Sequence, residues 1–572
     1  MAILRATGRW DFQPSNDFGI AARRAVGRLR ISVFAPLLVA VSLMASASAA
    51  AQTPGIPQQA TVHAVVNFAE LARQEAAKPP QPPERRVVPF QPAPPPRRLP
   101  PDFVPPEAPE APSPQPGAPT PQVPSPSPLA SFEALGDNDS SIPPDTMGTV
   151  GPNHLMVALN TEVRIQNRSG TALSTVTLNS FWSGTGATGV FDPKLSYDSF
   201  NNRWIFAAVS SADSANSSVL IGASQTNDPT GTWNLFRVDA DSINVDWADY
   251  PSLGFNKDWV VVTLNMFGIA SGNFTVSKIY AFRKSNLYAT VSPSATFTLL
   301  TDTGCGLCGG FTLAPAVTFD NSLATMYLID DSGWTDGTNL FLRISTITGA
   351  VGSEVFTGGA AFVGTASTWA LGPPGGNDFA PQQGTIQKIQ NGDSRILNAL
   401  YRTGSLWAAH NVFLPDNAPT RTAAQWWQFT PAGTLQQRGR VDDGTGTIFY
   451  AYPTIAVNSQ NDALIGFSSF SASQFASVGY AFRFAADAAN TMRDPFLLKA
   501  GEATYFKTFS GTDNRWGDYS ATVVDPVNDL DFWTIQEYAS SPDFPNGDDR
   551  WGTWWGKVSP TTIRRRGQLV SD

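Results

Sequence analysis

Histidine is almost missing from this chain. Its 572 residues hold three, His63, His154 and His410, which excludes a histidine-rich metal site. Cysteine is rarer still: Cys305 and Cys308 are the whole complement, in the stretch GCGLCGG. A structural zinc site needs two more soft ligands, and none is nearby. Flanking glycines and the lack of a following helix argue against a thioredoxin-like redox pair. A small loop disulfide between Cys305 and Cys308, formed outside the cytoplasm, is the reading left. Charge is sparse too, at 15% of residues with a formal net charge of -9. No basic footprint for nucleic acid exists. Glutamate is scarce in the C-terminal part, where Glu162, Glu354, Glu502 and Glu537 are the main representatives. Spacing alone cannot pair them for glycoside hydrolysis, because the relevant separations are spatial.

What is present is repetition. The stretch Asp192 to Val209, DPKLSYDSFNNRWIFAAV, alternates like a strand, turns through Asp198-Ser199-Phe200-Asn201-Asn202, and runs back from Trp204. Asp and Asn suit that turn because their side chains bond nearby backbone and tolerate left-handed geometry. Similar phrases start near Asp249, Ala314, Tyr450 and Gly517, with poorer copies at Asp145 and Asp378. Strand hairpins recurring every roughly 50–70 residues predict an all-β β-propeller, one sheet per blade. Seven phrases predict seven blades, with six and eight as alternatives. The last phrase offers three strands, so a fourth is expected from Ser131–Leu135, closing the ring and removing two open edges.

The first 130 residues are organised differently. Arg23, Arg24, Arg28 and Arg30 precede an apolar run from Ile31 to Met44 and then small residues to Ala51. This is the layout of a secretory signal peptide over 1–51, cleaved near Ala50 to Gln52. The apolar run is short for a membrane span. Residues 52–78 form a short segment with one expected helix between Gln58 and Ala77. Pro79 to Pro128 holds 22 of the 46 prolines, so 79–130 reads as a disordered, polyproline II-like linker. The propeller is expected over 131–560, followed by a basic tail, 561–572.

Two resemblances add to this. Thr226-Asn227-Asp228-Pro229-Thr230-Gly231-Thr232-Trp233 resembles the Asp box of sialidase-like propellers, Ser/Thr-x-Asp-x-Gly-x-Thr-Trp, with one extra residue between Asp228 and Gly231. In that family the box is a turn between the third and fourth strands of a blade, so the resemblance implies fold. Sialidase catalysis would need three arginines, a Tyr/Glu pair and an Asp acid. Val163-Arg164-Ile165-Gln166 lacks the aromatic and the proline of the family's first arginine motif. The phrases PPDTMGTVGPNH and DPKLSYD resemble those of uncharacterised secreted bacterial β-propeller proteins, which implies no established activity.

Five phrases place an aspartate just before the innermost strand: Asp145, Asp192, Asp249, Asp378 and Asp518. Equivalent points in successive blades lie at one height, so these carboxylates are expected to form a ring at a channel mouth. Such a ring could hold a cation such as Ca2+ or bond sugar hydroxyls. Alternatively, each Asp bonds the backbone of its own turn or of the next blade. Trp426-Trp427 and the Arg550–Trp555 stretch are either sugar platforms or inter-blade packing, and recurring Arg-Trp pairs favour packing. The expected protein is an exported monomeric propeller, secreted or in the cell envelope, without a transmembrane domain once the leader is cleaved. It acts as a binding or scaffold module for a glycan or protein ligand, without nucleic acid. The alternative is a carbohydrate-active enzyme, a sialidase-like glycoside hydrolase or lyase, using the channel-mouth carboxylates.

Overall fold

The computed structural model describes residues 52–79, 84–100, 123–303, 309–376, 378–543 and 547–560. The signal-peptide, cysteine-pair and basic-tail expectations fall outside these residues. Among the described residues the chain is all-β in a β-propeller arrangement. Its α-helices are the short Phe68–Ala76, Leu178–Trp182 and Lys284–Leu287.

The Asp192 phrase forms a hairpin between Val190–Asp198 and Arg203–Ser210. Asp198 Oδ1 accepts from the N–H groups of Phe200 and Asn201, and Asn202 takes the left-handed conformation at φ 53°. Ser218–Ser224 and Thr232–Asp239 complete this sheet as third and fourth strands. The Asp228 turn joins those two, with Asp228 Oδ1 accepting from Thr230 N–H and Oγ1–H.

Five separate sheets of four or five strands follow this plan. The seven separate sheets expected are therefore not what forms. Two further antiparallel runs, Asp246–Phe255 to Thr296–Asp302 and Ile396–Arg402 to Leu435–Val441, merge into one ten-stranded sheet. Val317–Thr318 pairs in parallel with both innermost strands and joins them. Gly254 permits the approach: a Cβ there would lie 2.4 Å from the Pro315 carbonyl oxygen.

The ring closes as the sequence implies. Ala130–Gly136 adds antiparallel to Asp548–Val558, so the last sheet takes its outer strand from the N-terminal side. Between sheets the core is aromatic. Trp426, Trp427, Trp551 and Trp555 are fully buried, which makes them packing residues and not sugar platforms.

Residues 52–100 depart from expectation. Much of the region expected as helix is strand: Val62–Asn67 extends the Thr232–Asp239 edge, and the helix begins only at Phe68. Alternation of half-buried Val62, Ala64 and Val66 with exposed neighbours suits a sheet edge, and the β-branched valines favour it. Asn67 then caps the helix, its Oδ1 accepting from Glu70 N–H at 3.0 Å. Ile56–Gln59 and Gln52–Pro54 extend two more sheets. One short stretch thus covers three edges.

Residues 84–100 are not a free linker. Arg86–Val87 pairs with Ser141–Ile142, Val88 is 2% exposed, and Arg97 exchanges backbone hydrogen bonds with Gly333 and Thr335. Residues 123–128 also dock: Ser125 Oγ–H donates to the Asp494 carbonyl, and Tyr480 donates to that of Pro126. Proline-rich chain has no backbone donors to spare, yet its carbonyls and apolar rings still pack on a preformed surface.

Candidate functional site

The innermost strands begin with a shared backbone device. Register slips between Phe191 and Lys194, Asp249 and Ser252, and Ala451 and Thr454. Asp145, Asp192, Tyr250, Thr312 and Tyr452 sit at positive φ, between 51° and 55°. This bulge turns a backbone N–H toward a neighbouring sheet. Asp192 N–H donates to Asn160 Oδ1 at 2.7 Å, Thr312 N–H to Asn265 Oδ1 at 2.7 Å, and Tyr452 N–H to Asn411 Oδ1 at 2.7 Å. Tyr250 N–H donates to Asp192 Oδ2 at 3.1 Å, and Asp518 N–H to Asp145 Oδ1 at 2.9 Å. Aspartate and asparagine thus do the same inter-sheet work. Asn160, Asn265 and Asn411 were missed by sequence reasoning. Their signal is an Asn on or just after the second strand, visible in ALN and TLN.

Four of the five expected aspartates converge. Oxygens of Asp145, Asp192 and Asp518 lie within 4.8 Å of one another, and Asp249 is buried beside them. Asp378 does not join: its Oδ2 accepts from Asn514 N–H at 2.9 Å, and burial pushes its pKa up to about 6. Its phrase is degenerate, so the residue falls in a loop and not at an inner-strand bulge.

Protein cations crowd the carboxylates. Arg515 donates to Asp518 Oδ1 at 2.7 Å and is 2% exposed. Lys194 Nζ lies 2.9 Å from the Tyr519 ring centroid and 5.1 Å from that of Tyr250. Burial, then the charges of Asp249 and Asp518, raise Asp192 to about 8. Burial, then Asp518, raises Asp249 to about 7. Burial lowers Lys194 to about 7 against the pull of Asp192, Asp145 and Asp518. Burial also drives Glu537 well above the usual carboxyl range. Part of this cluster is therefore neutral at pH 7, by desolvation and like-charge repulsion.

Residues 84–100 cover it. The Phe90 ring lies between two guanidinium groups, 5.5 Å from Arg395 and 5.1 Å from Arg515. Arg395 donates to the Gln91 carbonyl at 2.7 Å and is paired with Asp393. Arg86 donates to the Asn160 carbonyl at 2.9 Å.

As a cation site, the cluster has most of its oxygens committed. Asp145 Oδ2 also accepts from Asn160 Nδ2–H at 2.6 Å, and Asp192 Oδ1 is the one oxygen of Asp145 and Asp192 left without a partner. Calcium takes six to eight oxygens, which here would require displacing protein donors. The donor set, with Arg515 on Asp518 and Asn160 on Asp145, fits protein compensation better than a resident ion.

On the other side of the cluster the channel is open space. A cavity of about 390 Å³ is lined by every innermost strand, including Lys194, Ser252, Leu397, Thr454 and Ser520. Phe200, Phe319 and Pro526 also line it, and Phe200 is 39% exposed.

The fold and this site together define a β-propeller whose channel is filled with charge at one end and empty at the other. No family model matches the chain, and no curated protein matches it. Among solved structures, phage phi92 endosialidase is similar at 9% identity and TM-score 0.36, over 63% of this chain and 65% of that one. The match therefore spans under two thirds of the endosialidase. An α-L-arabinofuranosidase of Fusarium graminearum is similar at 10% identity and TM-score 0.36, over 66% and 94%. A protein of unknown function from Dyadobacter fermentans is similar at 11% identity and TM-score 0.34, over 64% and 93%. At these scores the likenesses carry no argument about activity.

Proposed function

We propose that this chain is a binding module whose ligand is a small molecule seated in the propeller channel. The observation that carries this reading is the cavity of about 390 Å³, within the size range of ligand pockets and lined by all the innermost strands. We count seven blades in this reading: the five separate sheets, plus two from the ten-stranded sheet divided at Val317–Thr318. The carboxylates favour binding over hydrolysis. They are buried, covered by residues 84–100, and largely engaged by N–H donors and Arg515. A hydrolase needs two carboxyl groups facing substrate. The reading includes export, on the leader-like layout of residues 1–51. With export goes cleavage near Ala50 to Gln52, and N-terminal sequencing that recovers an intact Met1 in a membrane fraction would sink that part.

The test of the channel uses a neutral fluorescent probe, N-phenyl-1-naphthylamine. Wild type is expected to bind it saturably with one site per chain. Leu397→Trp, which fills the channel, is expected to weaken binding at least about tenfold, or about 1.4 kcal/mol. Ile386→Ser, at a 94% exposed position, is expected to change nothing. Equal binding by wild type and Leu397→Trp would remove the channel as the site.

A further inference from the structure

Lys194 is an unusual wall residue for such a channel. It follows the Asp192-Pro193 bulge, is 5% exposed, and lines the cavity. Among the described residues its side-chain nitrogen has neither a hydrogen-bond acceptor nor a carboxylate within ion-pair distance, and its close neighbours are the faces of Tyr519 and Tyr250. Lys284 is the contrast: equally buried, it pairs with Asp198 at 2.8 Å. A buried amine on aromatic faces, beside an empty cavity, is placed to meet a ligand and not a protein partner.

We infer that Lys194 is a covalent carbonyl-binding site: a small aldehyde or ketone with an apolar chain enters the channel and condenses with its Nζ as an imine. This rests on the channel reading above and names its ligand class. In the step, the amine lone pair attacks the carbonyl carbon and a C–N bond forms. The carbonyl oxygen leaves as water with two protons, and the C=N bond remains. No oxidant or reductant is consumed, so the adduct is reversible.

The surroundings suit this chemistry. Attack needs the neutral amine, and burial holds Lys194 near 7 despite Asp192, Asp145 and Asp518, with Arg395 acting in the same sense as burial. Asp192, kept protonated to about 8, is a proton reservoir for the departing oxygen. A carboxylate ligand suits the place less well, because beside a neutral amine its buried charge would be left unpaired. Leu397 and Ile455 along the channel offer the apolar chain a wall.

The experiment treats the full chain with hexanal and sodium cyanoborohydride, which reduces an imine to a stable secondary amine, and maps adducts by peptide mass spectrometry. Lys194 is expected to be modified at least about tenfold faster at pH 7 than Lys257, whose side chain is 37% exposed. Its rate should rise between pH 6 and 8 and then level, whereas exposed lysines continue to gain toward pH 10. Leu397→Trp should slow the Lys194 adduct, Lys194→Arg should abolish it, and Ile386→Ser should leave both the adduct and N-phenyl-1-naphthylamine binding unchanged. If the probe binds wild type but Lys194 is modified no faster than Lys257, the carbonyl assignment is wrong and the channel stands. If the probe does not bind, both readings fall.

Discussion

Asp249→Asn is expected to be more stable than wild type at pH 8, by a few kcal/mol, and no more stable near pH 4. In the folded protein Asp249 holds its proton up to about 7, because burial and Asp518 oppose its charge; its ordinary value is 3.8. Between those values the folded state binds more protons than the unfolded state, so stability falls as pH rises. Asn carries no charge at any pH and escapes that loss. Asp192, raised to about 8, adds a loss of the same sign. Lys194 acts oppositely above neutrality. Its value is lowered from 10.5 to about 7, so between them the unfolded state binds more protons and stability recovers with pH. Wild-type stability should therefore fall steeply from pH 4 to about 7, read by urea midpoints across that range. Added calcium should move neither profile, because Asn160, Arg515 and backbone N–H groups already occupy the carboxylates. A pH-independent difference between wild type and Asp249→Asn would contradict the assignment of buried, shifted carboxyls. So would a calcium-dependent rise confined to wild type.

The second large effect concerns residues 84–100. Replacing them with a Gly/Ser segment of equal length should cost on the order of 3–6 kcal/mol, from lost burial of Val88 and Phe90 and the partners lost to Arg395 and Arg515. A detached spacer would cost nothing, so an unchanged urea midpoint would return this segment to the linker expected from its composition. Amide exchange offers a second reading. Tyr250, Tyr452 and Asp518 N–H groups should exchange faster in the replaced protein, since the cover over their hydrogen bonds is gone.

Much of this architecture is readable along the chain because it is local. The Asp198 turn, the alternating strands around it and their recurrence each depend on residues a few positions apart. Ring closure by Ala130–Gly136 follows from counting three strands where four are needed. The convergence of Asp145, Asp192 and Asp518, with Asp249 near enough to raise Asp192, follows from their shared place in the repeat. Asp378 shows the limit of that argument, since a degenerate repeat preserves the residue and not its height.

Other parts depend on what meets across sheets. Asn265 gives no sign in its own strand that it accepts from Thr312, 47 residues away. Val62–Asn67 reads as part of a helix until the open edge at Thr232–Asp239 is known. The proline-rich composition of 84–100 reports correctly that the segment cannot make its own core, and says nothing of a core prepared elsewhere. Lys194 alternates with Leu195 along its strand, and only the closed ring brings it to the channel.

By itself, then, the sequence determined the blade repeat, the hairpin turns, the closing strand and the level at which four carboxylates stand, because short-range turn chemistry and alternation specify each of them. Tertiary structure decided the charge state of those carboxylates, the cover formed by Phe90 and its neighbours, the fused ten-stranded sheet and the open cavity beside Lys194. Desolvation, close approach and empty volume belong to the assembled ring and have no value along an unfolded chain.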